Sequence, residues 1–329
     1  MHDFIAIGDT ATDVFIKLED DRIKVEGTPD TPDYRISLPF AAKVPYKEAT
    51  TLAGVGNAPN AAVAAAKLGL HSALVAHVGA DDAGKETVET LKNQGIDTQF
   101  IVAEEGKHTN YSYILWHKDD RTILRRNEEF KYVLPPLGTP KWVYISSIGS
   151  ESTNTYEELA DFLENNPTVK LAFQPGSKEI PLGQKLARIY KRADIYFSNV
   201  EEAEMILGIN TLGIQELIKR FHELGPKIVV ITDGPKGAYA YDGVNMYQQM
   251  PYPDPKPPYE RTGAGDAFSS TTVVALALGN DLPTALSWGA VNSMSVVQEI
   301  GAQKGLLNRE KIEEYLNKAP ADFKAKKIN

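Results

Sequence analysis

Apolar residues fall into two rhythms along this chain. Short unbroken runs at Phe4 to Ile7, Ala73 to Val78, Trp142 to Ser146, Val169 to Phe173, Ile195 to Phe197 and Ile228 to Thr232 predict strands buried on both faces. Between and after them lie stretches of helical character: Asn60 to Leu68, stopped by Gly69; Thr87 to Gln94, stopped by Gly95; then Tyr156 to Glu164, Lys185 to Lys191, Glu201 to Leu207 and Gln215 to Leu224. Strands alternating with helices predict a parallel sheet covered on both sides. Two segments depart from this rhythm. From about Val14 to Lys47, and again from about Gln99 to Arg126, polar and apolar residues alternate, as in Tyr111 to Trp116, which predicts a small sheet assembled from two separate insertions. Tyr239 to Tyr247 reads as a hairpin and Pro251 to Pro258 as an extended connector. Two long apolar helices follow, at Ala267 to Leu278 and Pro283 to Val297, and a polar tail from Lys318 to Asn329 that should fray.

Composition narrows the function classes. The chain has 329 residues, enough to bury a large core, with 42% hydrophobic and 24% charged residues. The absence of cysteine excludes disulfide, thiolate and zinc–cysteine chemistry and fits a reducing, cytoplasmic setting. A formal net charge of −9 without a dense basic run argues against nucleic acid as a partner. No apolar stretch approaches the roughly 18 residues of a membrane span, and Met1 to Thr12 reads as a first strand rather than a leader peptide. The six histidines have no metal spacing, and neither HExxH nor GxSxG occurs.

Thr262-Gly263-Ala264-Gly265-Asp266-Ala267-Phe268 carries the strongest chemical signal. Three small residues open an apolar helix, where free backbone N–H groups and the helix dipole favour an anion. A carboxylate at Asp266 is then placed to take a proton from a hydroxyl attacking phosphorus, although a glycine turn with an aspartate cap would look the same. Gly54-Val55-Gly56-Asn57-Ala58-Pro59-Asn60 also opens a helix and adds amides suited to hydroxyl groups. It lacks the third glycine of a dinucleotide fingerprint. Gly79 to Lys85 has the glycine and lysine spacing of a P-loop. Glu86 stands where a magnesium-binding hydroxyl is needed, and Asp81 and Asp82 would repel phosphate, so that reading fails. Asn199-Val200-Glu201-Glu202 sits at a strand-to-helix junction, where it would serve either phosphate and water-bound magnesium or simple helix initiation. Asp9 and Asp13 follow the first strand, where carboxylates accept bonds from sugar hydroxyls or merely face water.

In this order, these motifs resemble the ribokinase-like (PfkB) carbohydrate kinase family over nearly the whole chain. The resemblance implies a three-layer α/β sandwich with a mostly parallel central sheet and a small β-sheet lid. It implies one domain over residues 1–329, with the lid inserted from about 14–47 and 99–126. It implies Asp266 as catalytic base, with the amides of Gly263, Ala264 and Gly265 as the anion hole. Asp13, Gly56, Asn57 and Asn60 would hold the acceptor. Asn199 and Glu202 would organise phosphates and magnesium, Glu202 through water, and Thr232, Gly234, Gly237 and Asn292 would border the nucleotide. ATP and Mg2+ are the implied cofactors, with a monovalent cation in some relatives beside Glu260, and the implied partner is a second copy of the chain through the lid. The implied reaction is phosphoryl transfer from ATP to a hydroxymethyl group of a sugar. A nucleoside acceptor and a non-catalytic sugar- or nucleotide-binding regulator remain as alternatives. The chain departs from the common pattern at Val55, at Glu260-Arg261, at Gln174-Pro175-Gly176 and in the length of its first lid segment.

Overall fold

Strands β1 (Phe4–Ile7), β6 (Ser72–Gly79) and β10 (Trp142–Ile145) are buried at every position, as their unbroken apolar runs require. The computed structural model describes residues 1–328 except 29, 30, 32, 118, 119, 150, 151 and 210–212. The intervening strands are β2 (Ala11–Leu18), β3 (Lys24–Glu26), β4 (Arg35–Ser37), β5 (Glu48–Val55), β7 (Ile101–Glu104), β8 (Asn110–His117) and β9 (Asp120–Arg126). Strands β11 (Lys170–Phe173), β12 (Ile195–Asn199), β13 (Val229–Thr232), β14 (Ala238–Tyr241), β15 (Met246–Gln249) and β16 (Lys326–Ile328) complete the set. Among the described residues they form a ten-stranded sheet in the order β16-β15-β14-β13-β12-β11-β10-β1-β6-β7, a four-stranded sheet β5-β2-β8-β9 and the pair β3-β4. From β7 to β13 the large sheet is parallel; β14, β15 and β16 extend it antiparallel.

Strand periodicity divides the core into two layers. Phe4 and Ala6 face α1 (Asn57–Lys67), α7 (Ala264–Ala277), α8 (Leu282–Val296) and α9 (Arg309–Lys318). Ile5 and Ile7 face α3 (Thr153–Asn165), α4 (Ala187–Arg192), α5 (Val200–Leu207) and α6 (Ile214–His222). This is the expected three-layer sandwich. Helix α7 is buried almost all round, and its polar side chains are satisfied within it. The hydroxyls of Ser270 and Thr272 donate to the carbonyls of Asp266 and Phe268.

Several boundaries differ from the pattern-based expectation. Helix α1 starts at Asn57, because Pro59 lies in its first turn, where a missing N–H loses no helical bond. The helix α2 (Asp82–Asn93) starts well before Thr87, because the Asp81 carboxylate caps it by accepting from the Gly84 N–H at 2.9 Å. Residues 101–104, expected in the lid, instead pair in parallel with β6 in the large sheet. The small sheet runs past the expected limits, from Ala11 and out to Val55, because β5 is half-exposed and mixes polar with small residues. Part of the expected frayed tail, Lys326–Ile328, is pinned along β15. No helix among the described residues is long and apolar enough to cross a membrane.

Chain order sends β1 to β6 on one side and leaves β10 on the other, so the sheet changes winding direction at β1 and β10. Ligands of open parallel sheets bind at such a point, beyond the carboxyl ends of the strands. Those ends deliver Asp9 after β1, Gln174 after β11, Asn199 from β12 and Thr232 from β13 to the same edge.

Candidate active site

Asp266 lies in the first turn of α7, and its carboxylate is held from two sides. Asn60 Nδ2 donates to Oδ2 at 2.8 Å, and Gln174 Nε2 donates to Oδ1 at 3.0 Å. Each amide is itself aimed. Gln303 Nε2 donates to Asn60 Oδ1 at 2.9 Å and to the Gly54 carbonyl at 2.8 Å. The Tyr144 hydroxyl and Ser269 Oγ both donate to Gln174 Oε1, which leaves the Gln174 NH2 facing Asp266. Burial pushes the Asp266 carboxyl above its usual range, and the two amide donors pull it part of the way back. The result is a base that ionises above an ordinary aspartate, in a setting organised for its charged form.

The backbone around Asp266 is shaped for an anion. Gly263 caps α7 in the left-handed region at φ 81°, and a Cβ there would come within 2.6 Å of Ala302 Cα. The first N–H groups of a helix have no intrahelical partner, so Gly263, Gly265 and Asp266 present theirs at the helix start, while the Ala264 N–H makes a long 3.4 Å bond to the Arg261 carbonyl. A Cβ built on Gly265 would meet nothing within 4 Å, because that position opens onto a cleft. The cleft, about 600 Å3, is lined by Ala264, Gly265 and Phe268 on one wall and by Thr232, Gly234 and Gly237 on the other. Glu260 steadies the approach to this turn. Its Oε1 accepts from the Thr262 N–H at 2.8 Å and hydroxyl at 2.6 Å, with Arg121 of β9 at 3.9 Å.

Of the residues expected to hold the acceptor, Asn60 bonds to Asp266, and the others lie at the start of α1 and on the small sheet. Gly56 caps α1 at φ 130°, and a Cβ there would come within 2.8 Å of the Asp9 carbonyl. Asn57 opens α1 half-buried, and Asn60 is buried one turn on. Asp13 lies on β2, in register with Ser112 of β8, which is in turn opposite Arg125 of β9, so the three share one face of the small sheet. Burial raises the Asp13 carboxyl while Ser112 and Arg125 draw it down. Asp9, weighed as an acceptor ligand, is already engaged. Tyr132 donates to it at 2.9 Å and Lys178 at 3.0 Å.

Two groups of expected ligands sit elsewhere or do other work. Asn199 and Glu202 form a capping box on α5: the Glu202 N–H donates to Asn199 Oδ1 at 2.8 Å, and the Asn199 N–H donates to Glu202 Oε2 at 3.0 Å. Glu202 nonetheless belongs to the electrostatics of the site. Burial raises its carboxyl, and the nearby charge of Asp266 raises it further. Asn292 does not reach the cleft. It is fully buried in α8, where it donates to Thr271 Oγ1 at 2.7 Å and accepts from the Leu307 N–H at 2.9 Å. Its role is to join α7, α8 and the segment before α9, and the adjoining Gly301-Ala302 turn packs against Leu52 and Gly263.

The geometry is thus a half-buried carboxylate in the first turn of a helix, beside a cleft of about 600 Å3. Residues 32–309 match the pfkB family of carbohydrate kinases, and the chain belongs to that family of ATP-dependent enzymes. It is 26% identical to the nucleoside kinase of Methanothermobacter thermautotrophicus over 313 residues, covering 92% of each chain. It is also 26% identical to the ribokinase of Haemophilus influenzae, covering 87% of this chain and 96% of that one. The solved ribokinase of Arabidopsis thaliana, complexed with ribose and ATP, superimposes with a TM-score of 0.77 at 20% identity, over 96% of this chain and 98% of that one.

The Asn292→Ala variant should lower the thermal midpoint by several degrees, since two buried hydrogen bonds are lost at about 1–3 kcal/mol for each partner left unsatisfied. Its KM for ATP should stay within about twofold of wild type; a tenfold rise in steady-state kinetics would make Asn292 a nucleotide ligand after all. Replacing Asp266 by Asn keeps both amide neighbours but removes the base. Turnover should fall by about 10²–10⁴ while nucleotide affinity, measured by calorimetry, persists. Near-normal turnover would remove Asp266 from the chemistry.

Proposed function

We propose that the protein transfers the γ-phosphoryl group of ATP to a hydroxymethyl group of a sugar. One observation carries this reading: a half-buried carboxylate, held by two oriented amides, stands in the first turn of a helix whose free N–H groups open onto a cleft large enough for a nucleotide. The acceptor oxygen attacks the γ-phosphorus as its proton passes to Asp266. The bond to the β–γ bridging oxygen breaks, and ADP leaves. The Gly263, Ala264 and Gly265 amides meet charge on the moving phosphoryl group, and the lid excludes water that would otherwise compete as acceptor. Magnesium would neutralise phosphate charge here, and the mutual repulsion of Glu202 and Asp266 suits a cation near them, with Glu202 reaching it through water. Glu260 Oε2, buried without a partner among the described residues, is the kind of acceptor a monovalent cation takes. The partners on this reading are small molecules in the cytoplasm.

A nucleoside acceptor is the second reading, supported by the likeness to the Methanothermobacter nucleoside kinase. An ADP-release screen with ATP and magnesium across pentoses, hexoses, keto-sugar acids and nucleosides separates the two. Turnover confined to nucleosides would replace the sugar reading, and no turnover with any acceptor would favour a binding protein. Asp13 is the acceptor ligand most easily tested. Losing its charge-assisted bond in Asp13→Ala, about 1.5–3 kcal/mol, should raise the acceptor KM by about ten- to a hundredfold. A rise in the KM for ATP alone would assign the residue to the wrong substrate.

The outer face of the small sheet supports a homodimer. Tyr113 and Leu124 are directly opposed across β8 and β9 and remain 47% and 53% exposed, with the Tyr111 ring tilted against Tyr113; they point away from the Asp13 face. Leu38 and Phe40 are exposed beyond the β3-β4 pair. A second copy would cover both sets of apolar side chains at once. Light scattering at micromolar concentration should report a dimer that Tyr113→Asp and Leu124→Asp shift toward monomer. A monomeric wild type would leave the sheet as a lid alone.

A further inference from the structure

Arg261 stands two residues before the cap of α7, exposed, on the wall of the same cleft as Ala264 and Gly265. We propose that its guanidinium binds the β- and γ-phosphates of the donor nucleotide and acts as a further catalytic residue; this rests on the kinase reading above.

Three observations carry it. The first is position. Arg261 stands two residues before the cap of α7, where the helix start presents its N–H groups, and it lines the same cleft as Tyr252, Phe268, Ala290 and Met294, apolar surface suited to a base. The cation is therefore beside the helix start, where phosphate charge is favoured. The second is its unused charge. The arginines at 22, 35, 188, 192, 220 and 309 each hold a carboxylate, as expected in a chain of net charge −9. Among the described residues the Arg261 side chain makes no hydrogen bond or ion pair. The third is that its acidic neighbour does not compete for it. Glu260 is buried and turned toward Thr262 and Arg121, so Arg261 is left to face the cleft. A solvated surface arginine would explain the exposure, but not its place beside the anion-binding turn.

A guanidinium offers paired donors that match two phosphate oxygens, and it keeps its charge at any working pH. As the bond between the γ-phosphorus and the bridging oxygen breaks and the bond to the acceptor oxygen forms, negative charge grows on the β-phosphate of the departing ADP. Arg261 meets that charge, while the acceptor proton goes to Asp266. The residue thus acts on the leaving group, opposite the base.

The test compares nucleotide binding with turnover in wild type, Arg261→Ala and Arg261→Lys, using ATP, ADP and adenosine as probes in calorimetry. Arg261→Ala should weaken ATP and ADP by about ten- to a hundredfold and adenosine by less than about threefold, and should lower kcat at saturating ATP by about tenfold or more. Arg261→Lys should fall between, since an ammonium restores charge without the paired donors. Thermal midpoints should match wild type, because no protein contact is removed. Equal weakening of ATP and adenosine, or no weakening of either, would make Arg261 a surface residue and overturn the proposal while leaving the kinase reading intact. A wild type that neither binds ATP nor releases ADP would instead remove the kinase reading, and this role with it.

Discussion

On the proposed mechanism Asp266 has to be charged in a place that penalises charge. Burial raises its pKa, and proton transfer from an acceptor hydroxyl needs the carboxylate, so the protein supplies donors to the charged form from both sides. An amide helps only if its NH2 end is the one presented, and a free amide can turn over. Asn60 and Gln174 are therefore each fixed through the oxygen: Asn60 by Gln303, Gln174 by Tyr144 and Ser269. These braces come from α1, the strand end after β11, the segment before α9, β10 and α7. Most of the fold meets in one carboxylate.

The same requirement explains why the parallel sheet suits the chemistry. Its carboxyl edge brings residues remote in sequence to one line, while the two helical layers bury the strands behind that line on both sides. The helix carrying Asp266 also contributes its unpaired N–H groups, so base and anion hole share one rigid element and stay in register. Two carboxylates, Asp266 and Glu202, then sit close enough to disfavour each other's charge. On the proposed reading a phosphate-bound cation would relieve that repulsion, tying the site's electrostatics to its substrate.

Strand and helix order were largely legible in the sequence, because strands buried on both faces appear as unbroken apolar runs. The Gly263 to Asp266 turn was visible too, as three small residues before an apolar helix, although its spacing alone fits a plain capped turn equally well. Other parts were hidden for physical reasons. Gln174 and Asp266 are 92 residues apart, and Gln303 and Asn60 are 243 apart, so no local spacing links them. The unusual Gln174-Pro175-Gly176 was the one visible trace. Asn199 and Glu202 have the spacing of a capping box as well as that of a ligand pair, and the structure uses the former. Asn292 read as a ligand because a lone amide in an apolar helix invites that assignment; it is instead a buried link between helices. Strand β7 shares the period-two pattern of the lid, and only pairing distinguishes it.

The most direct measurement is the pH dependence of kcat/KM for the acceptor in wild type and in Gln174→Leu. On the proposed mechanism activity requires Asp266 ionised, so the acid limb should follow its pKa and lie above the range of an ordinary aspartate in wild type. Removing Gln174 takes away a donor to the charged form, so the limb should move to higher pH, with little change on the alkaline side. An unmoved limb, or one displaced to lower pH, would mean that the two amides do not hold Asp266 in its charged state.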